Sequence, residues 1–233
     1  MLQIKRGELE AEIDLKGAWL TRFESAGEPV LFERTRLLTA DNQQKLRGGC
    51  HVCLPNFGPG GDSDLSQHGF GRELDWQLAE KGESHVVLQL SNDHSVYISM
   101  FSMLRYELTD RGIVMTLTVE NKGESAIPVA PAFHPYYAVK SGEAVSLNQT
   151  TLDLDNLGET GFVDGVKHSL RAGDQELELS SINLPTWAIW TDKLGDYVCV
   201  EPSHSGNSFQ DDIKQAFSLK PAEVAEFGFT ISW

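Results

Sequence analysis

A strict two-residue hydrophobic period is the feature that most constrains this chain. Apolar side chains stand at Ile113, Met115, Leu117 and Val119, and only an extended strand puts such positions on one face. The run before it, residues 97–108, is rich in aromatic and apolar residues and stops at Thr109-Asp110-Arg111-Gly112, a turn sequence. Asn121-Lys122-Gly123-Glu124 turns the chain again. Alternating runs joined by short Asp/Asn/Gly segments predict an antiparallel meander with one buried face. Residues 86–90, 187–190, 197–200 and 226–233 continue the strand pattern, and helical periodicity nowhere exceeds one turn. The expected fold is therefore all-β, two large antiparallel sheets packed face to face. Without a linker, an internal repeat or a composition shift, residues 1–233 read as a single domain.

Composition narrows the partners. With 19 basic residues against 34 acidic ones, the formal net charge is −15. Phosphate-backbone binding needs clustered Lys and Arg, so nucleic acid is not an expected partner. A small anionic substrate stays compatible with this charge, because one or two local arginines can override the global field. Three cysteines fit a reducing compartment better than a disulfide framework. The segment Met1-Leu2-Gln3-Ile4-Lys5-Arg6-Gly7 lacks the apolar core of a signal peptide, and no window approaches a membrane span. A cytoplasmic protein with no membrane partner is the expectation, and oligomeric state is not readable.

Three segments break the alternating background. The first runs from Arg47-Gly48-Gly49-Cys50-His51-Val52-Cys53-Leu54-Pro55-Asn56-Phe57-Gly58-Pro59 to Gln67-His68-Gly69-Phe70-Gly71-Arg72. Glycine and proline this dense imply a backbone shaped by turns and close approaches, of the kind that carries ligand contacts. The second is Pro131-Ala132-Phe133-His134-Pro135-Tyr136-Tyr137, where the following proline confines His134 to extended geometry. The third is Tyr197-Val198-Cys199-Val200-Glu201-Pro202, an apolar strand ending in a carboxylate. Taken singly, His134 would read as a core histidine and Glu201 as a solvated strand end.

Cys50-His51-Val52-Cys53 superficially offers a metal or redox motif, but a structural zinc site needs about four ligands and a second pair at recognisable spacing. In an extended chain residues three apart face opposite ways, so two buried cysteines are the better reading. None of the seven histidines forms an H-x-H or H-x-x-x-H pair, and no metal site is expected.

In order, "R-G-G-x-x-V-C-x-P-x-F-G", "Q-H-G-F-x-R", "H-P-Y-Y" and "V-C-V-E-P" resemble the aldose 1-epimerase (galactose mutarotase) superfamily, from about Arg47 to the C-terminus. The resemblance implies a twisted β-sandwich and cofactor-free interconversion of sugar anomers. It implies Glu201 as the base that takes the anomeric proton and His134 as the acid that protonates the ring oxygen. A neighbouring carboxylate is expected to raise the pKa of His134 and keep it charged. His68 and Arg72 match the element that binds sugar hydroxyls, and Phe57, Phe70 and Tyr136 are candidates for an apolar floor. Arg47 and "Q-H-G-F-x-R" look like the hexose-6-phosphate branch, in which arginines bind the phosphate, whereas "H-P-Y-Y" looks more like the free-aldose branch. Asp164, in Gly161-Phe162-Val163-Asp164-Gly165, is the candidate for the substrate-binding aspartate. The partner so implied is a small sugar or sugar phosphate. A catalytically silent carbohydrate-binding sandwich is the alternative, and it would need neither His134 nor Glu201.

Overall fold

In the computed structural model, which describes residues 1–140, 142–157 and 160–233, the two-residue period becomes strands. Met100–Thr109 pairs antiparallel with Gly112–Asn121 along its full length, with Leu104 opposite Leu117. The alternation is read out faithfully: Ile113, Met115, Leu117 and Val119 are buried, while Val114, Thr116 and Thr118 are half-buried. Gly112 closes the hairpin at φ +149°, where a Cβ would overlap the Ile231 carbonyl oxygen, so the turn admits only glycine.

Among the described residues, the strands assemble into two nine-stranded antiparallel sheets and two small ribbons. The hairpin lies in one large sheet, between His85–Leu90 and Val224–Ser232. The other large sheet runs through Leu20–Ser25, Cys50–Cys53, Ala132–Ala138, Tyr197–Ser203 and Thr186–Trp190. Their inner faces share one main apolar cluster. Phe133 and Trp187 from one sheet each meet Phe229 of the other, with ring centroids 5.8 Å apart. The all-β sandwich is the observed fold. Among the described residues no helix is long and apolar enough to cross a membrane.

The middle of the second-named sheet departs from a simple sandwich. Cys50–Cys53 and Tyr197–Ser203 are buried at every residue, and Ala132–Ala138 at all but its last. Alternation predicts one wet face for such strands, so something must cover the outer one. The cover has two parts: the glycine-rich chain after Cys53, whose Phe57 packs on Cys53, Ala132 and Ala188, and Phe32 and Leu37, which pack against Tyr136, Tyr197 and Cys199. Cys50 accordingly packs in the main core and Cys53 in a separate cluster with Phe57, Ala132 and Ala188, on the opposite face.

The period predicts the energetics of the hairpin. Leu117→Ala should destabilise the protein by about 2–5 kcal/mol in urea denaturation, because a buried leucine leaves a cavity. Thr118→Ala, next to it but facing out, should cost less than about 1 kcal/mol; similar losses at the two positions would reject this register.

Candidate active site

Strand register explains why His134 and Glu201 meet. Ala132 pairs with Ser203 and Tyr136 with Cys199, a register that sets His134 directly opposite Glu201. Between those two pairs the ladder is interrupted. Pro135 and Pro202 both fall in this gap, and neither has an N–H to donate. The neighbours on the other sides stay paired, His134 with His51 and Glu201 with Ala188. The backbone is thus held from outside while its centre is left open.

His134 Nε2 lies 3.3 Å from Glu201 Oε2, with both side chains almost fully buried. Their mutual alignment does not make a hydrogen bond, and Glu201 Oε2 and His134 Nδ1 have no partner among the described residues. Beside them opens a cavity of about 380 Å³, within the range of small-molecule sites. Arg47, His68, Arg72, Tyr136, Phe57 and Trp190 contribute to its walls, together with Gln67 and Asn207. Tyr136 stacks on the His134 ring at 4.7 Å with planes 13° apart. Phe70 packs with His94 and Tyr97 instead and is no part of this wall.

His68 is placed by the roof. It sits at φ +66°, and its Nδ1 accepts the Gly58 N–H at 3.2 Å while lying 3.4 Å from Cys53 Sγ. With Nδ1 an acceptor, the proton of the neutral ring belongs on Nε2. Gly58, at φ +68°, approaches Asn207 so closely that a Cβ would overlap the amide oxygen. That contact brings the segment after Glu201 against the roof.

The two arginines differ. Arg47 Nε and Nη2 both hold Asp192 Oδ2, at 2.9 and 2.8 Å, and its guanidinium lies over Trp190. Tyr197 donates its hydroxyl to the other Asp192 oxygen. Arg72 donates to the Gln67 carbonyl at 2.9 Å, and among the described residues no carboxylate is within ion-pair distance of it.

Burial sets the protonation of the pair. Desolvation holds the Glu201 carboxyl well above the usual carboxylate range. Desolvation first, then neighbouring His68 and the positive Arg72 and Arg47, drive His134 well below its usual value. The expectation that the carboxylate would raise His134 is therefore reversed. Both shifts favour the uncharged forms, a carboxylic acid beside an imidazole, because taking charge out of water is costly. His68 is pushed down to about 3 by burial and the same arginines. His51 is lowered too, by burial first and then by His134 and Arg72.

Asp164 is not brought to this cavity. It is exposed on the edge strand Gly161–Asp164, pairs with Thr186 and accepts from the Thr186 hydroxyl at 3.4 Å. Its side chain shares a face with Glu201, but two strand spacings, about 10 Å, separate them sideways. His51, Trp190, Asp192 and Asn207 were not legible as site residues. Alternation could have found His51, since it shares a face with Cys53 and pairs with His134; its ring lies 4.8 Å from His134 and 5.9 Å from His68.

The profile of the family described as Aldose 1-epimerase matches residues 1–207. An Escherichia coli K12 protein provisionally named glucose-6-phosphate 1-epimerase is 32% identical over 178 residues, 72% of this chain and 59% of its own length. A Cenchrus ciliaris protein of the same provisional name is 30% identical over 166 residues, covering 63% of this chain and 50% of its own. The chain thus spans between half and three fifths of the length of these curated relatives. Among solved structures, a galactose mutarotase-like protein from Lactobacillus casei superposes with TM-score 0.81 at 17% identity, covering 100% of this chain and 99% of that one. A provisionally named aldose 1-epimerase of Escherichia coli K12 gives 0.79 at 15% identity, covering 99% and 97%. At these identities the likeness is one of fold.

The buried imidazoles predict acid sensitivity. An unfolded histidine takes up a proton near pH 6.5, whereas folded His68 does so only near 3. Between those values the unfolded state binds more protons, so stability falls as pH falls, by up to about 1.4 kcal/mol per unit. Lowered His51 and His134 act in the same direction. Raised Glu201 acts oppositely, favouring the folded state less as pH rises above its unfolded value. His68→Asn suits the left-handed backbone and offers an oxygen in place of Nδ1. Urea titrations at pH 7.5 and 5 should show this variant losing about 2 kcal/mol less than wild type. Equal losses would show that His68 is not held neutral.

Proposed function

The chain belongs to the aldose 1-epimerase family, and from that premise we propose that it interconverts the α and β anomers of a hexose bound beside His134 and Glu201. The observation that carries this reading is the facing of those two groups at 3.3 Å, unaligned with each other and bordering a polar cavity.

Ring opening needs two proton movements. Glu201 takes the proton of the anomeric hydroxyl while His134 gives one to the ring oxygen, and the C1–O5 bond breaks to leave an aldehyde. Rotation about C1–C2 and reclosure on the other face yields the other anomer, with no change of oxidation state. One proton serves the pair throughout. At rest it sits on Glu201; its passage to His134 arms the base and the acid together without changing the net charge of the site. His68, with its Nε2–H, donates to a sugar oxygen. Titration then belongs to the pair as a whole, and a bell-shaped pH profile follows.

The substrate that fits best is a hexose 6-phosphate. The provisional names of the curated relatives point the same way. Arg72 supplies the uncompensated cation, while Arg47, already shared with Asp192, supplies a fixed second donor.

Saturation-transfer NMR of anomer exchange on glucose, galactose and their 6-phosphates tests both parts. His134→Ala and Glu201→Gln should each lower kcat by about 10²–10⁴-fold. Absence of exchange above the spontaneous rate across the panel would leave a sugar-binding protein instead. Arg72→Ala should raise KM for the phosphates by about 10–100-fold, the worth of a charged hydrogen bond, with a much smaller effect on free hexoses. Equal effects on both would reject a phosphate role for Arg72.

A further inference from the structure

Cys199 stands two residues before Glu201 on the strand Tyr197–Ser203, with its side chain on the same face. A ring nitrogen of His134, Cys199 Sγ and a carboxylate oxygen of Glu201 all lie within 4.8 Å of one another. One of these atoms, Glu201 Oε2, is buried with no hydrogen-bond partner among the described residues. Adjacent ligands about 2.0–2.1 Å from a tetrahedral ion stand roughly 3.3 Å apart, and the Nε2–Oε2 separation is 3.3 Å. A sulfur at its usual ~2.3 Å from zinc would stand about 3.6 Å from each of them, so Sγ has to close by at most about 1.2 Å. That is within reach of side-chain rotation.

We propose that His134, Cys199 and Glu201 form an inhibitory site for a borderline-soft divalent cation, Zn²⁺ or Cd²⁺, its fourth position open to the cavity. One nitrogen, one sulfur and one carboxylate oxygen suit such ions, whereas Mg²⁺ and Ca²⁺ require more oxygen donors. Binding displaces the thiol proton of Cys199 and the proton shared by the pair, both released to solvent. The ion then occupies the lone pairs that the sugar needs. Metal binding itself is independent of the mutarotase reading; only the inhibition rests on it.

The test uses Cd²⁺ on the full chain, read by thiolate-to-cadmium charge-transfer absorption and by equilibrium dialysis. Wild type should bind one equivalent with the charge-transfer band, and anomer exchange should fall in step and return with a chelator. Cys199→Ser should keep exchange activity while losing the band, and should need at least tenfold more Cd²⁺ for half-inhibition. Glu201→Gln, read by binding rather than turnover, should weaken Cd²⁺ at least tenfold as well. If Cys199→Ser does not fold, Glu201→Gln decides alone. Unchanged Cd²⁺ affinity in either folded variant, or no stoichiometric binding by wild type, overturns the site. Binding without inhibition, in a protein that does exchange anomers, overturns it too. Binding in a protein without exchange activity supports the site while rejecting the proposed reaction.

Discussion

The site depends on an interruption in a sheet. An antiparallel ladder normally ties every second residue to its neighbour on the adjacent strand. In this protein Pro135 and Pro202 fall in the same stretch of the same pair of strands. Prolines are usually excluded from sheet interiors because each removes a donor. Two of them flanking His134 and Glu201, one on each strand, concentrate that loss at the residue pair proposed to carry the chemistry. Outer neighbours on both sides keep the strands aligned, so the opening does not spread.

Burial then sets the electrostatics. A histidine and a carboxylate in contact suggest an ion pair when only Coulomb attraction is considered. Their strand surroundings are buried on both faces, however, and the cavity adds two arginines. Desolvation raises the carboxyl and lowers the imidazole, and positive neighbours lower the imidazole further. The outcome is a poised neutral pair rather than a locked ion pair. For the proposed ring opening this would suit both directions, since one shared proton returns to its starting place after reclosure.

The fold was legible in the sequence because alternation is local: residues 113–119 and the turns around them carry their own register. His134, Glu201, His68, Arg47 and Arg72 were legible through ordered motifs, and the structure brings all five to one cavity. Asp164, the candidate for a substrate-binding aspartate, is not brought to that cavity, because its edge strand lies two strands across the sheet from Glu201. Asp192 and Trp190 were hidden for a related reason. Their relation to Arg47 spans 145 residues of chain in the case of Asp192, and no period or spacing encodes such a pairing. The sign of the His134 shift was missed because it depends on the roof, whose cover over the outer face no strand pattern reveals.

The roof also reconciles the site with the charge of the whole chain. A net charge of −15 repels anions at long range, yet screening limits that field to about 8–10 Å at physiological salt. Inside the cavity the local balance is different. Arg47 is offset by Asp192, Glu201 is held neutral, and the histidines are neutral, which leaves Arg72 as the uncompensated charge among the described walls. A free hexose has no charge to match it. A phosphorylated one does, and its dianion would also be the group that favours charging His134, by offsetting the arginine field that holds the imidazole down. In the proposed reaction, recognition of a remote phosphate and readiness of His134 as the acid would then be one electrostatic event, which is how binding energy far from the reacting bond can be used at it.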